Sequence, residues 1–346
     1  MDFTLRDCMG CVYFPFVQLH FSGQSVPPFF IIRFPLIIME CGGSRQFVFH
    51  EENMPPSESV DHPVARKFTL PREGEVIQHQ GCNYHLGKYI GEGSWGAVFH
   101  CTDDWENELV AKILKPRNRT YEAVKNEWTR ELSNLVKLRH PNITFVYDAF
   151  EFRDTFFLII ERCEQTINEL IEAPNINGEE WLPVVAHSVL QGISFIHKEG
   201  YIHKDIHPRN VFSSLIRDKM VPTKDPVIVF KIGELGITNL ETEMDVFNTM
   251  VGKWMIPPEF LKPDQYGKIG KQVDMYHAGL VFLSLLLGRI PTFSENDILD
   301  GRPRNIAEEL KSVYSPAIGK ALRRHVENRT QTSLDFWKDI ASARPK

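Results

Sequence analysis

The stretch GEGSWGAV, Gly91 to Val98, has the form GxGxxGxV. Glycine carries no Cβ, so the backbone amides around Gly91, Gly93 and Gly96 can come close to an anion such as a phosphate oxygen. Glycine pairs are also common in turns, so context decides the reading. The loop lies between two predicted strands, whereas a Rossmann site needs a helix after its glycines. The pattern therefore predicts a hairpin folded over a nucleotide, with Val98 covering the base. Lys112 follows in VAKIL, sixteen residues after Gly96 and in the next predicted strand. An inward-pointing lysine among apolar neighbours needs a partner. Glu131 on the following helix is the candidate, and Glu127, one turn earlier on the same face, is the alternative. A lone Lys–Glu pair is more often a solvated surface pair; the distance of Lys112 from the glycine loop reverses that preference. Cys8 and Cys11 form a single CxxC without a second pair at matching spacing, so they read as incidental, not as a zinc site.

These residues need elements to hold them. From about Tyr84, short alternating runs (YHLGKYIG, AVFHCTD, ELVAKIL) read as strands. Arg119 to Arg139 reads as a helix, because Val124, Trp128, Leu132, Leu135 and Leu138 recur at steps of three and four. Pro141 in HPNI forbids its continuation. Strands follow at ITFVYDAF and FFLIIERC; after Cys163 the pattern turns helical, with EEWLPVVAHSVLQGISFIHKE and VDMYHAGLVFLSLLLG as core helices. Strands first and helices later predict an α+β chain with two lobes. Residues 83–341 read as the folded domain, divided into lobes at about 83–163 and 164–341.

Residues 1–82 read as a poorly ordered extension, apolar at first and a polar linker after 42. PPFFIIRFPLIIM, Pro27 to Met39, holds three prolines and Arg33, which suits neither a spanning helix nor a signal peptide. Membrane contact through residues 11–40 is the less favoured reading. A net charge of -6 argues against a nucleic-acid partner. Six cysteines in 346 residues do not make a disulfide scaffold and fit reduced thiols in a cytoplasmic protein. Oligomeric state is left open.

The sequence resembles the eukaryotic protein kinase family over about residues 84–341. The motifs stand in the family's order: GEGSWGAV, VAK, Glu131 before HPNI, HKDIHPRN, GELG, PPE, DMYHAG and Arg329. The resemblance implies a strand-rich lobe, a helical lobe, and ATP with Mg2+ in the cleft between them. It places Ile90, Gly91, Gly93, Gly96, Val98, Ala111, Lys112 and Glu131 at the nucleotide. FLIIERC becomes the hinge, with Ile160 guarding the back pocket and the backbone of Glu161 and Cys163 meeting adenine. Asp205 would accept the proton of a protein substrate's hydroxyl, and Lys112 would steady the phosphates. Asn210 and Glu234 would hold metal. His203 would anchor the loop from below, Asp274 would tie a long helix to it, and Glu259 with Arg329 would brace the large lobe.

Four departures bear on activity. Glu234 stands where the family has an aspartate; it adds one methylene, about 1.5 Å of reach, at a metal that wants close octahedral oxygens. Lys204 replaces the arginine that grips a phosphorylated activation segment in two-pronged fashion; Thr242 and Thr249 remain candidate phosphosites. His207 stands where serine/threonine kinases place a lysine and could donate to the transferring phosphate. The segment SSLIRDKMVPTKDP between Asn210 and Glu234 reads as an enlarged loop. The favoured function is serine/threonine phosphotransfer within the tyrosine-kinase-like group. The alternatives are a pseudokinase scaffold that binds nucleotide, and a tyrosine-specific kinase.

Overall fold

The computed structural model describes residues 69–92, 96–116, 119–216, 220, 225–243 and 255–343. All belong to one compact unit, Val64–Lys346. The expectations for residues 1–68, for Gly93 and for Thr249 lie outside the described residues.

Among the described residues, β1 (Val76–His79), β2 (Cys82–Glu92), β3 (Gly96–Thr102), β4 (Glu108–Leu114), β5 (Val146–Phe152) and β6 (Thr155–Glu161) form an antiparallel sheet in the order β1-β2-β3-β4-β6-β5. Side chains alternate across a strand, and the sheet uses both faces. Leu109, Ala111 and Ile113 of β4 join Phe99, Phe157 and Ile159 in an upper core. Leu114, Phe156 and Leu158 face a larger core that continues into the helical lobe. Gly96 is required by packing: a Cβ there would lie 2.2 Å from the Ile113 carbonyl oxygen.

The expected boundary at 82/83 falls inside a hairpin. β1 pairs with β2 from Val76↔His85 to His79↔Cys82, and Ile77 is fully buried. Four residues in a polar stretch give little periodicity to read, but pairing with β2 orders them.

Helix α1 (Tyr121–Lys137) starts at Thr120, whose hydroxyl accepts the Ala123 N–H at 3.2 Å. Its stripe of Val124, Leu135 and Leu138 is buried, with Trp128 and Leu132 packed beside it. The Trp128 Nε1–H donates to the Phe157 carbonyl at 2.9 Å, which ties α1 to β6.

Beyond β7 (Gln165–Thr166) and α2 (Ile167–Glu172), the helical lobe is organised by α3 (Gly178–Lys198) and α6 (Gln272–Leu287). Helix α6 is largely apolar and buried along nearly its whole length. Gly178 lets α3 approach so closely that a Cβ would sit 2.2 Å from the Leu285 carbonyl oxygen. β8 (Tyr201–Ile202), β9 (Val211–Ile216), β10 (Val227–Ile232) and β11 (Asn239–Leu240) frame the loops at the top of this lobe. The segment read as an enlarged loop is partly strand. β9 and β10 pair in continuous register from Val211↔Ile232 to Ile216↔Val227, so Ser213 to Ile216 extend a hairpin. α4 (Pro258–Leu261), α5 (Pro263–Tyr266), α7 (Glu295–Asp300), α8 (Arg302–Glu309), α9 (Ser315–Ala321) and α10 (Ser333–Ala343) complete the lobe. No helix among the described residues is long and apolar enough to cross a membrane.

Candidate active site between the lobes

Strand β4 delivers Lys112 to the inner face of the sheet, where its register partners are Val98 and Leu158. The Lys112 ammonium is buried and held by two carboxylates, Glu131 Oε1 and Glu234 Oε2, each at 2.7 Å. Burial alone would lower the lysine's pKa and does raise that of Glu131; at the lysine the two carboxylates outweigh burial and hold its pKa above the ordinary value. The ammonium therefore stays charged. Glu127, the alternative partner, pairs instead with Arg119.

Ala111 is corrected by the same alternation. It has no exposed surface and packs in the upper core, on the face opposite Lys112. Val110, two residues from the lysine and half-buried, shares the lysine's face and pairs in register with Ile160. Strand periodicity carried that signal, because i and i+2 share a face and i and i+1 do not.

Glu234 lies in the left-handed region, φ 59° and ψ 64°, which a non-glycine residue adopts only where its surroundings demand it. Those surroundings come from α1. Asn134 is buried and its amide donates to the carbonyls of Leu235 and Thr238, both at 2.9 Å. Arg130 Nε donates to the Gly236 carbonyl at 2.8 Å. One helix thus carries Glu131 and also grips the turn that presents Glu234. Sequence reasoning missed Asn134 and Arg130, since their partners are backbone atoms more than a hundred residues away.

The catalytic-loop candidates stand on a buried polar floor. Asp274 of α6 accepts the backbone N–H groups of His203 at 2.9 Å and Lys204 at 2.8 Å, and its Oδ2 lies 2.8 Å from His197 Nε2. Burial would raise its pKa, but these hydrogen bonds and neighbouring charges bring it down to about 2. His203 is fully buried; its Nδ1 accepts the Asp205 N–H at 3.2 Å, which leaves Nε2 to donate to the Gly233 carbonyl at 3.0 Å. That pattern fixes the neutral tautomer. Lys204 is also buried, with φ 69°, and burial lowers its pKa to about 8 despite the Asp274 charge.

Asp205 sits above this floor. Its Oδ2 accepts the Asn210 amide at 3.0 Å, and the same amide donates to the Asp205 carbonyl at 3.0 Å. Burial first, and the Glu234 charge second, push the Asp205 carboxyl up to about 7, against the Asn210 hydrogen bond. His207 Nε2 is 3.7 Å from Asp205 Oδ1, beyond hydrogen-bond length, and its Nδ1 accepts the Arg209 N–H at 3.1 Å. Burial pushes its pKa down to about 4, so the ring is neutral at pH 7.

The hinge and loop residues line the approach. Ile90 is 49% exposed, Gly91 and Val98 are partly exposed, and nothing lies within 4 Å of where a Gly91 Cβ would be. Gly91 pairs with Val98 across the hairpin. Glu161 accepts from Lys231 Nζ with both oxygens at 2.8 Å and from the Phe145 N–H at 2.8 Å, which pins the hinge to β10 and to the residue just before β5. Cys163 is partly buried, and burial raises its thiol to about 12. Farther out, Glu259 and Arg329 form a fully buried two-pronged pair at 2.6 and 2.8 Å. Thr242 is exposed.

The site provides one fixed cation, three carboxylates and an amide near the paired strands β2 and β3. Asn210 commits its nitrogen to Asp205, which leaves its oxygen for another partner. Glu234 engages Lys112 with one oxygen only among the described residues. Two such hard oxygens suit Mg2+, and the lysine beneath the hairpin suits a phosphate.

A family model for the protein kinase domain matches residues 84–346. The chain is similar to Cyclin-dependent kinase-like 4 of Mus musculus, 31% identical over 259 residues, or 74% of this chain and 68% of that protein. It is similar to Cyclin-dependent kinase-like 4 of Homo sapiens, 32% identical over 202 residues, or 58% of this chain and 50% of the relative. It also resembles Serine/threonine-protein kinase TAO2 of Xenopus laevis, 29% identical over 214 residues, or 60% of this chain but only 19% of that longer protein. The match takes in both lobes, apart from β1 and the first residues of β2, and every described residue of the site: the chain belongs to the protein kinase family.

Proposed function

We propose that the protein is an active serine/threonine protein kinase that transfers the γ-phosphate of ATP to a protein hydroxyl with Mg2+. The observation that carries this reading is the joint placement of Lys112, Glu131 and Glu234 in one hydrogen-bonded set, with Asp205 held by Asn210 beside it. Lys112 holds the α- and β-phosphates; Glu131 keeps the ammonium in place. Asn210 and Glu234 hold the metal, which when bound spreads the charge that builds on the phosphates. Engaging the Glu234 charge also removes part of what raises Asp205, so its carboxylate is freed to orient the substrate hydroxyl and accept its proton. His207 is neutral and offers its Nε2–H toward the transferring group. The preference for serine or threonine rests on the name of the Xenopus relative.

The competing scaffold reading has one observation in its favour: Glu234 spends an oxygen on Lys112. Incubation of the purified chain with radiolabelled ATP, Mg2+ and peptide libraries fixed at Ser, Thr or Tyr separates the two. The proposal expects transfer to Ser/Thr libraries that Asp205→Asn abolishes. Transfer absent from every library, with ATP binding intact, supports the scaffold.

A further inference from the structure

The cleft is not the only concave charged feature of the fold. In the helical lobe, the α7–α8 junction and the loop after α9 border a half-open pocket of about 210 Å³, lined by Arg304, Arg323, Arg324, His325, Asn305 and Asp300 among others. Three arginines and a histidine line it beside one acidic residue, Asp300. The whole chain carries a net charge of -6, so this convergence runs against its composition.

Two of the three arginines, Arg323 and Arg324, are held in place without being neutralised. Arg324 Nη1 donates to the Leu299 carbonyl at 2.5 Å, and its guanidinium stands 5.8 Å from the Tyr266 ring. Arg323 Nη1 donates to the Asn328 carbonyl at 3.1 Å. Neither has a carboxylate partner among the described residues; Arg304 alone of the three is paired, with Glu308 at 2.7 Å. Gly301 (φ 78°) makes room for this arrangement, since a Cβ there would meet Arg324 Nε at 3.2 Å. Like charges gathered in one pocket repel unless an anion joins them. A fixed planar fork with spare N–H groups matches a phosphate better than a point charge does.

We propose that this cavity binds the phosphoryl group of an already phosphorylated protein segment. It is a docking site separate from the cleft, and it rests on the kinase reading for the supply of such segments. A single pocket of about 210 Å³ suits one phosphoryl group, whereas a nucleic acid needs a basic stripe that follows its backbone.

The test measures fluorescence anisotropy of the full chain with a labelled peptide library fixed at phosphoserine, beside the same library with serine. The expected result is binding of the phosphorylated library only. Inorganic phosphate should compete, and binding should weaken as salt rises. Arg324→Gln should weaken binding by at least about tenfold, with Arg324→Lys intermediate. If Arg324→Gln does not fold, Arg323→Gln, which loses only its hydrogen bond to the Asn328 carbonyl, serves instead and should also weaken binding. No binding, equal binding of both libraries, or binding unaltered in the folded variant overturns the site, as does a preference for anionic vesicles or single-stranded DNA over the phosphopeptides. Transfer to an unphosphorylated peptide by the Arg323 variant should equal that of the parent. Failure of transfer in the parent would sink the kinase reading and leave the binding result standing.

Discussion

Replacing Asp205 with asparagine should stabilise the folded protein at neutral pH while removing its proton acceptor. The carboxyl is pushed up to about 7, from an ordinary value of about 3.9. A folded-state pKa above the unfolded one gives stability that is complete below about pH 4 and lost as pH rises through about 7. Three pH units at about 1.4 kcal/mol each bound the effect at roughly 4 kcal/mol. Asp205 keeps 17% of its side-chain surface exposed, and water there relaxes part of the strain, so about 2 kcal/mol is the working figure. Asparagine keeps an oxygen for the Asn210 amide and carries no charge. The variant should therefore match the parent near pH 4 and exceed it at pH 8 by about 2 kcal/mol, which raises the melting temperature by about 4–8 °C for a domain of this size. Thermal unfolding in EDTA without nucleotide, at half-unit steps from pH 4 to 8, reads this directly. Glu234→Gln should shrink the difference, since Glu234 is the second cause of the raised pKa. A gap between variant and parent that stays constant with pH would refute the reasoning.

Three further outcomes follow from the same geometry. Lys112→Met leaves Glu131 and Glu234 facing each other without a cation; it should abolish transfer and cost about 3–5 kcal/mol in urea unfolding. Asn134→Ala removes two buried hydrogen bonds from the turn behind Glu234 and should cost about 1–3 kcal/mol; the Mg2+ concentration for half-maximal rate should rise while metal-free ATP affinity holds. Arg329→Ala strands the buried Glu259 carboxylate and should cost about 3–5 kcal/mol, seen as loss of soluble, cooperatively unfolding protein.

Much of this site is legible in the sequence, because its residues sit in short local motifs. Lys112 and Glu131 lie nineteen residues apart on adjoining elements, and strand and helix periodicity is enough to point them inward. Ala111, which the resemblance places at the nucleotide, is one residue from Lys112 and so lies on the other side of the strand; Val110 is the residue on the lysine's face. The grip of Asn134 and Arg130 on residues 235–238 was not legible, because backbone carbonyls leave no trace in residue type. The β1 strand was lost in a polar stretch too short to show a period, and the β9–β10 hairpin was hidden by serines that pair through their backbones.

The central claim is that a glutamate at 234, held by α1 in a left-handed turn, serves as a metal ligand in a working phosphotransferase. Initial transfer rates measured against Mg2+ concentration for the parent, Glu234→Asp and Glu234→Gln test it most directly. The account predicts a parent rate that saturates with Mg2+, an aspartate variant at least as fast, and a glutamine variant reduced by about a hundredfold or more. A parent that transfers no phosphate at any Mg2+ concentration, with an ATP thermal shift indifferent to both Mg2+ and Glu234→Gln, would contradict it.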